Sequence, residues 1–223
     1  MNPTLRPRIK ICCISTRQEL ETAVGLGVDA LGLVARMPSG PGIIPDDLVR
    51  ELARRTPPSV ASFLLTSETT TQAIIAHQCR TGADTLQIVD ALSDGTYKDL
   101  RTALPGISLV QVIHVNGPEA FDEAKRVAPH VDGVLLDSGN PKLPVKELGG
   151  TGRVHNWDIS RRIREALDIP VFLAGGLNAE NVREAIETVR PFGVDVCSGV
   201  RTDGHLDSQK LHRFVDVVRQ YVP

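Results

Sequence analysis

The first stretch able to do chemistry is Ile9-Lys10-Ile11-Cys12-Cys13. Side chains alternate along an extended strand, so Lys10 and Cys12 share one face while Ile9, Ile11 and Cys13 share the other. A cation beside a thiol favours the thiolate, the form that takes protons or attacks. The same pair also suits plain packing, because cysteine is commonly buried and lysine can bury its stem. Asp137 ends a second stretch, Gly133-Val134-Leu135-Leu136-Asp137, and lies on one face with Gly133 and Leu135. A carboxyl in a half-closed pocket has its pKa raised and can act as a general acid. An aspartate just after a strand also commonly caps a backbone amide. Gly175-Gly176 and Ser198-Gly199 each follow a short apolar run directly. Such turns suit either an anion cradle of backbone amides or ordinary tight connections. Gly149-Gly150-Thr151-Gly152 lies in the longest loop, as a closing lid or a plain surface loop.

The elements that must position these residues alternate regularly. Strands are predicted at 9–14, 30–35, 60–65, 85–89, 108–114, 133–137, 171–174 and 194–197. Helices are predicted at 17–26, 46–55, 68–80, 96–103, 118–127, 158–167, 179–189 and 208–221. Gly27 suits a helix C′ position and Asn178 an N-cap. Helices between strands enforce parallel pairing by right-handed crossovers. Eight such units in 223 residues predict an α/β fold, a (β/α)₈ TIM barrel, as a single domain over 1–223. The alternative, a doubly wound sheet, lacks a Gly-x-Gly-x-x-Gly turn after its first strand. In a barrel, chemistry belongs at the strand C-termini, and phosphate often sits at the loops after strands seven and eight.

Composition narrows the function. A net charge of −2 with interspersed signs gives no footprint for nucleic acid or an anionic membrane. No apolar run approaches the roughly 18 residues of a membrane span. Cys12, Cys13, Cys79 and Cys197 are spaced for neither a disulfide framework nor a zinc knuckle. The expectation is a cytoplasmic protein with reduced thiols. The six histidines lack metal-ligand spacing, so no metal is expected. His77, His130 and His212 fall on predicted helices as solvated side chains, and His114 ends the fifth strand as a rim residue.

Several motifs together resemble the phosphoribosylanthranilate isomerase family. They are Lys10-Ile11-Cys12, Val131-Asp132-Gly133-Val134-Leu135-Leu136-Asp137-Ser138, and Gly149-Gly150-Thr151-Gly152 with Asn156-Trp157. Phe172-Leu173-Ala174-Gly175-Gly176-Leu177-Asn178 and the run Arg190–Val200 complete the set. The resemblance implies an Amadori rearrangement of a phosphorylated aminoaldose to a 1-amino-ketose, without a cofactor. It implies Asp137 as general acid at the ring oxygen and Cys12 as the base that removes the C2′ proton. Lys10, Gln87, Gly150, Gly175, Gly176, Ser198 and Gly199 are then expected around a phosphorylated sugar-amine substrate, in a monomer or homodimer.

The chain departs from that family at specific positions. Cys13 replaces a usual glycine. Ser39-Gly40-Pro41 lacks the arginine that faces the anthranilate carboxylate, for which Arg36 or Arg201 is the candidate substitute. Asp90 stands after the fourth strand, where an inward carboxylate would repel an anionic substrate. Two alternatives therefore stand beside anthranilate turnover. One is isomerisation of an aminoaldose phosphate lacking that carboxylate; the other is non-catalytic phosphosugar binding.

Overall fold

A computed structural model describes residues 6–221; the remaining ends of the expected domain, 1–5 and 222–223, lie outside the described residues. Eight parallel strands close into a barrel, β1 (Arg8–Ile11), β2 (Ala30–Val34), β3 (Ala61–Thr66), β4 (Thr85–Ile88), β5 (Ser108–His114), β6 (Gly133–Asp137), β7 (Val171–Leu173) and β8 (Gly193–Val196). Each is followed by a helix: α1 (Arg17–Gly25), α2 (Asp46–Arg55), α3 (Thr71–Thr81), α4 (Tyr97–Ala103), α5 (Glu119–Val127), α6 (Trp157–Ala166), α7 (Val182–Val189) and α8 (Ser208–Arg219). The predicted (β/α)₈ barrel is the fold observed. A small hairpin, β9 (Arg201–Thr202) with β10 (His205–Leu206), is inserted before α8.

Alternation along each strand separates two apolar layers. Ile9, Ile11, Leu31, Leu33, Leu64, Leu86 and Ile88 pack outward under the helices. Phe63, Leu65, Val110, Val112, Leu135 and Phe172 fill the barrel with Cys12. Alternation thus puts Gly133, Leu135 and Asp137 on the inward face. Closure occurs where β1 meets β8, with Lys10 beside Asp195 and Ile11 beside Val196.

Boundaries shift where local chemistry overrides periodicity. α7 begins at Val182, three residues later than the sequence suggests. Asn178 instead accepts hydrogen bonds from the Glu180 and Asn181 amides, closing a separate turn first. Gly27 has φ +69°, as the C′ reading requires. His77 is buried, contrary to expectation, between Thr66 Oγ1 at 2.8 Å and Asp46 at 3.2 Å. Its helix packs that face onto the barrel rather than into solvent.

Candidate active site

The mouth at the strand C-termini holds an open pocket. Cys12, Gln87, Asp137, Gly150, Gly175, Gly176 and Ser198 line it, together with Cys13, Cys197 and Asp195. Asp195 is not among the residues that the sequence motifs assign to the site. Alternation along β8 was the available signal, because it puts Asp195 on the inward face with Gly193.

Lys10 lies beneath this pocket and not in its wall, so it is no direct ligand for substrate. Its side chain is fully buried, with Nζ 2.9 Å from Asp195 Oδ2 and 5.2 Å from the centre of the Phe63 ring. Gly32 makes room for it: a Cβ there would lie 2.8 Å from Cys12 Sγ and 3.0 Å from Lys10 Nζ. Burial works against the ammonium, but Asp195 and then Cys12 more than reverse this and hold Lys10 above its ordinary value. Burial pushes the Cys12 thiol up to about 11, with Lys10 pulling it down. The resting residue is therefore a neutral thiol beside a fixed cation.

Asp137 ends β6 with Oδ1 accepting from the Ser138 amide at 2.7 Å. Burial raises its pKa, and the Asp195 carboxylate adds to the rise. A carboxyl so placed keeps its proton more readily than an exposed one. Asp195 Oδ1 is buried and has no hydrogen-bond partner among the described residues, nor does Gln87 Oε1. Unpaired polar atoms in a pocket wall are suited to the hydroxyls of a bound sugar.

The loops after β7 and β8 interlock with the long loop after β6. Gly175 and Gly176 have φ of +81° and +65°, and a Cβ on Gly176 would lie 2.7 Å from the Arg153–Val154 peptide. Ser138 Oγ and Thr151 Oγ1 are 2.7 Å apart, tying that loop to the end of β6. His155 sits behind Gly175 with Nε2 2.7 Å from Ser160 Oγ, and burial lowers it to about 4, so it is neutral at pH 7. Gly199 does not line the pocket. A Cβ there would lie 2.0 Å from the Leu177 carbonyl, so its role is contact between the two turns. Gly176→Ala combines left-handed strain, about 1–3 kcal/mol, with displacement of the 149–155 loop. It is expected to raise KM for a phosphorylated substrate roughly tenfold, measurable by steady-state kinetics.

Other expectations are corrected. Arg36 is exposed outside the lining, its carbonyl accepting from Ser67 Oγ, because the chain turns outward after β2. Arg201 is buried and also absent from the lining. Its guanidinium bonds Glu19 at 2.8 Å and the carbonyls of Cys12 and Cys13. It thus supports the turn after β1 and does not meet a ligand. Asp90 is paired with Lys146, which offsets the expected repulsion. His114 sits at the rim with Nε2 2.9 Å from the Val89 carbonyl. Cys13 does not face the helices. Its φ of +65° ends the alternation and turns the side chain to Cys197, with which it forms a disulfide. The expectation of fully reduced thiols fails because the partners lie 184 residues apart and meet only through closure of β1 on β8.

A closed (β/α)₈ barrel with a buried thiol, a raised carboxyl and glycine turns around one mouth defines an acid–base barrel enzyme of the sugar-phosphate type. The family model for N-(5'-phosphoribosyl)anthranilate (PRA) isomerase matches residues 9–217, and the chain belongs to this family. It is 34% identical to the N-(5'-phosphoribosyl)anthranilate isomerase of Haloarcula marismortui, over 96% of each chain. It is 36% identical to that of Methanothrix thermoacetophila, over 95% of this chain and 98% of the relative. The solved phosphoribosyl anthranilate isomerase of Thermococcus kodakaraensis superposes with a TM-score of 0.77 at 29% identity, covering 96% of this chain and all (100%) of that one.

Proposed function

We propose that this protein isomerises N-(5'-phosphoribosyl)anthranilate to its 1-amino-ketose phosphate, a step of tryptophan biosynthesis. The observation that carries the reading is one pocket walled by Cys12, directly after β1, and Asp137, at the end of β6. Two separate strand ends hold an acid and a base around one small sugar, as the rearrangement needs. Asp137, whose pKa burial raises, donates its proton from its neutral form to the ring oxygen as the furanose C1′–O bond opens, giving an iminium. Cys12, as thiolate supported by Lys10, takes the C2′ proton to give the enolamine, which ketonises. Gly175, Gly176 and Ser198 receive the phosphate on backbone amides, and Gln87 and Asp195 receive sugar hydroxyls. The reading includes one domain acting in the cytoplasm, monomer or homodimer, without a cofactor. Among the described residues no helix is long and apolar enough to cross a membrane. Turnover of the anthranilate substrate by purified protein, with rescue of a tryptophan auxotroph, tests the proposal. Background turnover and no rescue would sink it.

A second reading changes only the amine substituent, since among the described residues no lysine or arginine lines the pocket. Pro41 occupies the position where the resemblance puts an arginine, and it packs against Gly150. A charge-assisted contact to a carboxylate is worth about 1.5–3 kcal/mol. Pro41→Arg is therefore expected to raise kcat/KM for the anthranilate substrate at least roughly tenfold if the carboxylate is underserved. An unchanged kcat/KM in that assay would remove the second reading.

A further inference from the structure

Cys13 and Cys197 take no part in the proton transfers, yet both line the catalytic pocket. Each adjoins a working residue: Cys13 follows Cys12, and Cys197 precedes Ser198 of the anion cradle. Their α-carbons are 6.0 Å apart across the seam where β1 closes on β8, beside the 2.8 Å bond from the Cys12 amide to the Val196 carbonyl. Cys13 has φ +65°, a conformation that suits glycine, so a cysteine here carries a backbone cost. Arg201 holds the carbonyls of both Cys12 and Cys13, so the turn keeps a support that does not depend on sulfur. The fold can therefore persist when the bond opens. In a reducing compartment, disulfides that do form are commonly redox-sensing.

We propose that Cys13 and Cys197 form a reversible redox latch, closed by low-molecular-weight disulfides, that fixes the phosphate cradle against the catalytic strand. Closure proceeds by two exchanges. The half-buried Cys197 is reached through the pocket, and its thiolate attacks the small disulfide, forming a mixed disulfide and expelling one thiol. The Cys13 thiolate then attacks the Cys197 sulfur and expels the second. Two electrons pass from the cysteine pair to the small disulfide, and the two cysteine protons end on the released thiols or in solvent. Cys12 is spared because it is buried and holds its proton, with a pKa near about 11. Cys79 is exposed on α3, away from the mouth.

The inference rests on the isomerase reading for its effect on turnover, but not for the chemistry of the latch. The test begins with alkylation of denatured full-length protein followed by mass measurement. After oxidised glutathione Cys13 and Cys197 are expected to be closed to alkylation as an internal crosslink, with the exposed Cys79 free or glutathionylated, and after dithiothreitol all four thiols are expected to be alkylated. Cys12→Ala is expected to keep the crosslink and Cys13→Ser to lose it. Bridging 184 residues, the bond is expected to lower Tm by roughly 5–15 °C when reduced. Reduction is expected to raise KM at least threefold with kcat within twofold, reversibly, and Cys197→Ser is expected to be fixed in the high-KM state under both conditions. Cys13 and Cys197 open to alkylation after oxidised glutathione, loss of the crosslink in Cys12→Ala, or identical KM in both redox states of an active protein would overturn the latch. A protein inactive in both states would sink the isomerase reading, and thiol counts with Tm would then decide the latch alone.

Discussion

Asp137→Asn is expected to lower kcat by roughly 10²–10⁴-fold while making the protein more stable at neutral pH. The two effects share one cause. Burial raises the Asp137 pKa, so the folded state binds this proton more tightly than the unfolded chain does. The stability that the proton confers is present below the unfolded pKa and is lost as pH rises through the folded one. At neutral pH the wild-type chain carries that loss, and asparagine does not. Asparagine can still accept the Ser138 amide through Oδ1, so the turn after β6 is kept. Tm is expected to rise by about a few degrees at pH 7–8, with a smaller difference at low pH.

The pH profile adds a sharper readout. Productive protein pairs a Cys12 thiolate, whose thiol burial pushes up to about 11, with a neutral Asp137, and the pair is taken to titrate with the carboxyl first. That form is a minor species whose share is level between the two apparent pKa values. It declines again above the thiol's. In Asp137→Asn only the thiolate titrates, so the residual rate is expected to climb with pH through the range where wild type is flat. A variant with wild-type kcat, or with the wild-type plateau, would remove Asp137 as the acid.

The barrel was legible because its strands are short, apolar and separated by helical segments, which leaves few topologies open. β5 and β6 coincide with their predicted spans because turn residues bracket them on both sides. The site was legible only while alternation held. It put Lys10, Cys12 and Asp137 on inward faces, and it would have yielded Asp195 had β8 been read the same way. It failed at Cys13, where one left-handed residue reversed the side chain. No local pattern pairs residues 184 apart, so the disulfide depended on barrel closure. Arg36 and Arg201 escape the same signal for a related reason. Beyond a strand's end, loop packing sets where a side chain points, and for Arg201 it selected Glu19 and two carbonyls over the pocket.

Lys10→Met is expected to cost about 3–5 kcal/mol, the largest stability effect of any single change at the site. It leaves the Asp195 carboxylate buried beneath the pocket without the ammonium that lies 2.9 Å from it. For a chain of this size that corresponds to a Tm loss on the order of 10 °C. Replacing both partners, Lys10→Met with Asp195→Leu, is expected to recover most of the loss, because an apolar pair of similar volume needs no compensating charge. Activity separates the stability role from the catalytic one. Lys10 lowers the Cys12 pKa more strongly than Asp195 raises it, so removing both leaves the thiol harder to ionise. The double variant is therefore expected to be folded and stable yet at least roughly tenfold slower, with its rate falling off at higher pH than wild type. Urea denaturation of the four proteins of the cycle gives the coupling energy, and the kinetics of the double variant gives the rest. A single variant within about 1 kcal/mol of wild type would show that Asp195 is not held as a buried charge. A stable double variant with wild-type turnover would show that Lys10 supports the barrel and not the base.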